Sequence, residues 1–194
     1  MKVTMTQVAE HAGVDKATVS RVLRGDSRIS EKTRTKVMKS VRALNYRPDL
    51  NARSLSTNKS GFIGVVVKEI NEDWVANFMS GLDRSLSNYK YDILLKCTSG
   101  DKRRAIYEYT KLADRCVEGM IISDVDNFPE KIIVPTLTLG FKRPGAIALL
   151  SDGGYFIPTF ETGAQAGRLL IKLISGKTLP LNEIIIKTEK DAVN

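Results

Sequence analysis

The sequence has 194 residues, 42% of them hydrophobic and 27% charged, with a formal net charge of +8 at pH 7. No apolar run approaches the roughly 20 residues that a bilayer-crossing helix needs, and the polar, helix-patterned first residues hold no secretory h-region. Residues 1–60 carry 13 Lys/Arg against 5 Asp/Glu while residues 61–194 carry 17 of each, so the whole positive excess sits in the first third and points that segment at a polyanion.

The first segment reads as three short helices. Thr4 caps a helix through Gln7, Val8 and Ala12 that Gly13 ends; Asp15 or Lys16 opens a second carrying Val19, Val22 and Leu23, which Gly25 and Asp26 stop. Ser30 caps a longer third helix with Val37, Val41 and Leu44 at helical spacing, up to Pro48. Helices this short are marginal alone and must share a core. A polar stretch from Pro48 to Gly61 has the composition of a linker.

From Phe62 the rhythm changes to strand and helix in alternation. FIGVVV (62–67), YDILLKC (91–97), GMIIS (119–123), PTLTLG (135–140) and NEIIIKT (182–188) read as strands. Residues 74–86, 101–115 and 161–175 read as helices, and residues 142–160 as a connection. Such alternation implies a mostly parallel sheet covered on both faces.

Within MTQVAEHAGVDKATVSRVLR (5–24), Ala9 is small where two helices cross, Gly13 permits a left-handed turn, and Val19 packs the second helix on the first. That is a helix-turn-helix pattern, and it turns Lys16, Ala17, Ser20 and Arg21 outward. The N-terminal half of such a helix enters the major groove, where Lys and Arg read guanine and a small side chain meets a thymine methyl. A three-helix protein-interaction module is the alternative use of the same pattern. His11, the single histidine, lies on the first helix and is expected at the surface or facing a phosphate rather than as a ligand or catalyst.

Residues 3–67 resemble the lactose/galactose repressor family, on Gln7-Val8-Ala9, AGV at 12–14, ATVSRVL at 17–23, Ser30 through Asn45-Tyr46, and Ala52-Arg53-Ser54-Leu55. The resemblance implies an all-α helix-turn-helix headpiece (1–47), a hinge (48–60) and an α/β regulatory or dimerisation domain (61–194). That domain would have a parallel sheet with helices on both faces, like one lobe of a periplasmic-binding-protein-like domain. By position, Lys16, Ala17 and Arg21 would read bases, and Thr4, Thr18 and Ser20 would hold phosphates. Asn51, Ala52, Arg53, Ser54 and Leu55 would form a minor-groove hinge, with Leu55 as the wedge that unstacks a base step. Trp74, Phe78 and Leu82 are candidates for a homodimer interface, with packing on their own sheet as the equal alternative.

The expected partner is double-stranded DNA and the expected location the cytoplasm, nucleoid-associated when bound, with Cys97 and Cys116 as reduced thiols. The resemblance departs from the family in extent, because the segments that would build a second effector lobe have no counterpart. A site between two lobes would lose half its walls, so a sugar-type effector is not expected. A sensor site kept on the single lobe, at the strand C-termini, is the alternative. No HExxH, GxSxG, P-loop or cysteine–histidine cluster occurs, so neither metal, cofactor nor enzymatic chemistry is expected. A repressor of transcription is the leading function, and an architectural DNA-bending protein of low specificity the runner-up.

Overall fold

The computed structural model describes residues 3–47, 59–123, 131–152, 156, 158–177, 179 and 182–186. The chain divides into two compact units, Met1–Ser56 and Thr57–Asn194.

The first unit is helical: α1 (Met5–Ala12), α2 (Lys16–Arg24) and α3 (Glu31–Ala43). Val8, Val19 and Val37 are fully buried and, with Ala9, Ala12, Val22 and Tyr46, form the one core these helices share. Tyr46 lies past the end of α3 and folds back, its N–H donating to the Val41 carbonyl at 2.9 Å. A core so small cannot hold a helix whose ends stay open to water, and each helix start carries a side-chain cap.

The second unit is an α/β layer structure. Its strands are β1 (Phe62–Val67), β2 (Asp92–Cys97), β3 (Gly119–Ile122), β4 (Thr136–Leu139), β5 (Ile147–Ser151) and β6 (Glu183–Ile186). They form a six-stranded sheet of order β2-β1-β3-β4-β5-β6, parallel at every pairing. Among the described residues three helices connect it: α4 (Asp73–Ser87), α5 (Lys102–Asp114) and α6 (Phe160–Ile174). Alternate residues of β1 face opposite sides. Ile63, Val65 and Val67 join Phe78, Leu82 and Leu86 of α4 and Ala166 and Leu170 of α6 in one core. Val66 packs instead with Tyr109 and Leu112 of α5 and with Met120 and Ile122 of β3. The sheet is therefore covered on both faces, as the alternation of elements implies.

One element departs from expectation. Residues 142–160 are not all connection: Ile147–Ser151 is β5, registered Leu137↔Ile147 and Leu139↔Leu149 on β4 and continued by β6. Parallel neighbours ordinarily need a crossover of about a dozen residues or more, so a strand seven residues after β4 carries no spacing signal. The short return is made by two backbone bonds, Gly140 N–H to the Leu149 carbonyl at 2.8 Å and Ala146 N–H to that of Arg143 at 3.1 Å.

The tightest packing is between α4 and α6. A Cβ at Gly81 would collide with the Phe160 carbonyl, and one at Gly163 with that of Phe78. One turn on, a Cβ at Gly167 would come within 2.8 Å of the Ser85 side chain. Backbone lies against backbone here, which drives Phe78 and Leu82 into the sheet with no exposed surface. Gly81→Ala is expected to destabilise the second unit by about 3 kcal/mol through overpacking, measured by denaturant unfolding. Ser80→Ala, its exposed neighbour, should stay within about 0.5 kcal/mol of the parent.

Candidate nucleic-acid interface

The geometry of the first unit follows from how its helices start and stop. At α1, Gln7 N–H donates to Thr4 Oγ1 at 3.3 Å while Gln7 Oε1 accepts Thr4 N–H at 2.8 Å, a reciprocal capping box. Gly13 ends α1 in the left-handed conformation (φ 55°), and Val14 N–H returns to the Ala9 carbonyl at 3.1 Å. Two residues later α2 begins, with Asp15 Oδ1 accepting Thr18 N–H at 2.7 Å and Oδ2 accepting the Thr18 hydroxyl at 2.9 Å. The turn between the helices is thus fixed on both sides.

Helix α2 is divided between two faces. Val19 and Val22 are buried in the shared core, whereas Lys16, Ala17 and Arg21 are exposed and Ser20 is half-buried. Arg24 folds back along the helix, its Nε donating to the Ser20 carbonyl at 3.3 Å. The three residues expected to read bases therefore stand on the solvent side of one folded helix. Such a helix can enter a groove without rearranging.

Two of the residues expected at phosphates have partners within the chain. Thr4 donates its hydroxyl proton to Gln7 Oε1 at 3.2 Å, and Thr18 donates its own to Asp15. In the free protein Thr4 caps α1, while Thr18 bonds the Asp15 carboxylate that caps α2. The Asp15 carboxylate also stands at the N-terminus of α2, where it competes with phosphate for the same helix end. Asn51, Ala52, Arg53, Ser54 and Leu55 lie outside the described residues. Of the interface candidates, Phe78 and Leu82 are wholly buried between α4, α6 and the sheet, so they offer no surface to a second copy. Trp74 is half-buried, edge-on to Phe78 at 5.8 Å, with its indole N–H donating to Glu72 at 2.6 Å.

His11 is exposed, yet its Nδ1 lies 3.0 Å from the hydroxyl of buried Ser40, tying α1 to α3. A second cluster, not singled out from sequence, follows α2. Arg28 donates through Nε and a terminal nitrogen to the two oxygens of Asp26, at 3.0 and 2.8 Å, while its side chain is 82% exposed. Arg34 donates to the Asp26 carbonyl at 2.9 Å. The pair orders one edge of the Arg28 guanidinium and leaves the rest of the group in solvent. The signal for it was the Asp-x-Arg spacing directly after the glycine that ends α2.

The bonds from Thr18, its amide first and then its hydroxyl, lower the Asp15 carboxyl below its ordinary value. The bonds from Arg28, side chain and then amide, hold Asp26 well below the usual carboxylate range. Among the described residues no three His, Cys, Asp or Glu side chains converge to hold a metal, and no helix is long and apolar enough to cross a membrane.

Residues 4–49 match the model of a family described as bacterial regulatory proteins, lacI family. Catabolite control protein A of Priestia megaterium is 26% identical over 185 residues, covering 84% of the chain and 56% of that protein. The protein of the same name from Streptococcus mutans is 35% identical over 119 residues, covering 61% of the chain and 36% of its relative. The chain thus spans little more than half the length of the first relative and about a third of the second. Among solved structures, the lac repressor dimer bound to operator and an anti-inducer superposes with a TM-score of 0.60 at 20% identity, over 96% of the chain and 65% of that structure. A LacI-family regulator from Silicibacter pomeroyi gives 0.61 at 19% identity, over 76% of the chain and 47% of its own. At these identities the superpositions establish the fold. The relatives are regulators by name, not enzymes.

Both Asp15 and Asp26 titrate below their unfolded values. Their stabilising contribution is therefore complete above the ordinary carboxylate range and is lost as pH falls through the folded values. The amide resonances of Thr18 and Arg28 are expected to hold constant from pH 8 to about 5 and to move only below about pH 4. Asp15→Asn and Asp26→Asn should each abolish the titration at its own partner.

Proposed function

We propose that the chain, which belongs to the lacI family through residues 4–49, is a sequence-specific DNA-binding transcriptional repressor. It works as a homodimer on a pseudo-palindromic operator, in the cytoplasm and on the nucleoid. The observation that carries the reading is the two-faced α2: Val19 and Val22 locked in the core, Lys16, Ala17 and Arg21 presented outward. The concentration of the positive excess in residues 1–60 supports the same partner.

In this reading Lys16 and Arg21 donate to guanine edges and Ala17 makes apolar contact with a thymine methyl. Phosphates are held by first-turn amides of α1, which carries no acidic residue in its first turn, with Ser20 beside the base-reading row. Arg28 adds a guanidinium already ordered by Asp26. Residues 51–55 act in the minor groove, with Leu55 as the wedge between base steps. Two such units related by a twofold axis read a half-site each, which one unit alone cannot do with useful selectivity.

The second unit serves as the dimerisation platform and works without the sugar effector of two-lobed regulators. The described residues form one lobe around one sheet, and three of the described polar side chains near the carboxyl edge of that sheet are bonded within the chain. Thr138 donates to the Phe141 carbonyl at 2.6 Å and Arg104 to Ser99 at 3.2 Å, while Glu72 accepts from the Glu69 amide and the Trp74 indole. Groups already satisfied in this way have little to offer a sugar hydroxyl.

Selection of sites from random duplex DNA, followed by titration against a scrambled duplex at fixed salt, tests the reading. The expected result is a pseudo-palindrome bound at least about a thousandfold more tightly than the scramble. Lys16→Ala and Arg21→Ala should each cost about 1–3 kcal/mol on the selected site and relax preference at one base pair. Equal affinity for every duplex would instead identify an architectural DNA-bending protein.

A further inference from the structure

The connection between α2 and α3 carries an acid in the most basic part of the chain. Asp26 follows Gly25 directly, and its N–H donates to the Arg21 carbonyl at 3.1 Å, in the last turn of α2. Its own carbonyl accepts Ile29 N–H at 3.3 Å and the Arg34 guanidinium of α3 at 2.9 Å. The residue is thereby fastened to both helices, and its side chain, 18% exposed, is held in one place.

That carboxylate accepts three N–H groups of Arg28. The amide and Nε donate to Oδ1, both at 3.0 Å, and a terminal nitrogen donates to Oδ2 at 2.8 Å. Two of the five guanidinium donors are spent in this way, and the end of the fork stays in solvent. The base-reading row feels the same acid: after the bonds from Arg28, the charge of Arg21 is one of the smaller causes that keep Asp26 ionised. A surface ion pair of this kind adds little to stability, so its consequence is sought in binding.

An exposed, unpaired arginine meets the phosphates of any duplex and releases a counterion, which strengthens specific and non-specific binding alike. An arginine gripped by a fixed carboxylate carries little net charge and points its remaining donors in one direction. It contributes only where a phosphate arrives in that direction, and phosphate contacts of this kind set the register of a protein on the duplex.

We infer that Asp26 is a positioning residue for operator selectivity: by neutralising and aiming Arg28, it makes that arginine useful to an operator bound in register and nearly useless to random duplex. The inference rests on the operator-binding reading proposed above.

The test uses the full-length protein with the selected operator and a scrambled duplex, each titrated over a series of salt concentrations. Thermal unfolding is followed in parallel. Asp26→Asn keeps an acceptor for the Arg28 amide but frees the guanidinium. It should raise affinity for the scramble about fivefold and steepen its salt dependence by about one phosphate contact. The ratio of operator to scramble affinity should then fall about tenfold. Arg28→Lys, which keeps the charge and loses the two-point grip, should lower that ratio about fivefold, and it decides alone if Asp26→Asn does not fold. In an Arg28→Ala background Asp26→Asn should leave the ratio unchanged, because the acid acts through that arginine. The inference is overturned if the ratio survives Asp26→Asn in a folded protein, or if the same fall appears without Arg28. Equal loss of affinity for both duplexes at an unchanged salt slope marks general damage to the turn, and overturns it too. A parent that binds every duplex alike overturns the repressor reading and this inference with it, whereas a selective parent unmoved by Asp26→Asn overturns this inference alone.

Discussion

The DNA-reading unit depends on closing the ends of its helices. Three short helices around Val8, Val19 and Val37 bury too little apolar surface to tolerate several dangling amides. Thr4, Asp15 and Ser30 each satisfy one at the start of a helix, and Gly13 and Gly25 turn the chain out of the first two. The same side chains that cap the helices therefore set the angle at which Lys16, Ala17 and Arg21 leave the surface. Stability and readout share residues: Thr4 and Thr18, which expectation places at phosphates, also help hold the unit together.

This sharing explains what could be read from sequence. The buried row of α2 and the caps were visible as spacing and residue type, and each helix of the first unit starts where its pattern places it, although the third ends at Ala43, short of Pro48. The hydrogen-bond partner of a hydroxyl is not a pattern. Thr4 and Thr18 have the right chemistry for phosphate, and only the distances to Gln7 and Asp15 reveal that their protons are committed. Arg28 was hidden for the opposite reason: an exposed arginine after a turn is ordinary until Asp26 is seen to grip it.

Among the described residues of the second unit, periodicity located each helix and five of six strands, to within a residue or two. The failure, β5, came from topology. A parallel strand that follows its neighbour after seven residues lies outside the usual crossover rule, and its run Ile147–Ser151 is too short to announce itself. Phe78 and Leu82 illustrate a second limit. Their spacing shows an apolar stripe on α4, but a stripe does not say whether the sheet or another chain covers it. The small residues Gly81, Gly163 and Gly167 let α6 close in from the side, and Phe78 and Leu82 are buried beneath it.

The approach of α4 to α6 has a consequence for how this lobe can change over generations or under redesign. Where two side chains meet, an enlargement on one can be met by a reduction on the other, and a core such as Phe78 against Leu170 can trade volume in paired steps. At Gly81 and Gly163 the opposing surface is the peptide carbonyl of Phe160 and Phe78, which every amino acid carries. No second substitution can shrink it. These two positions therefore have no suppressor partner, and the separation of the two helix axes is the least adjustable dimension of the lobe.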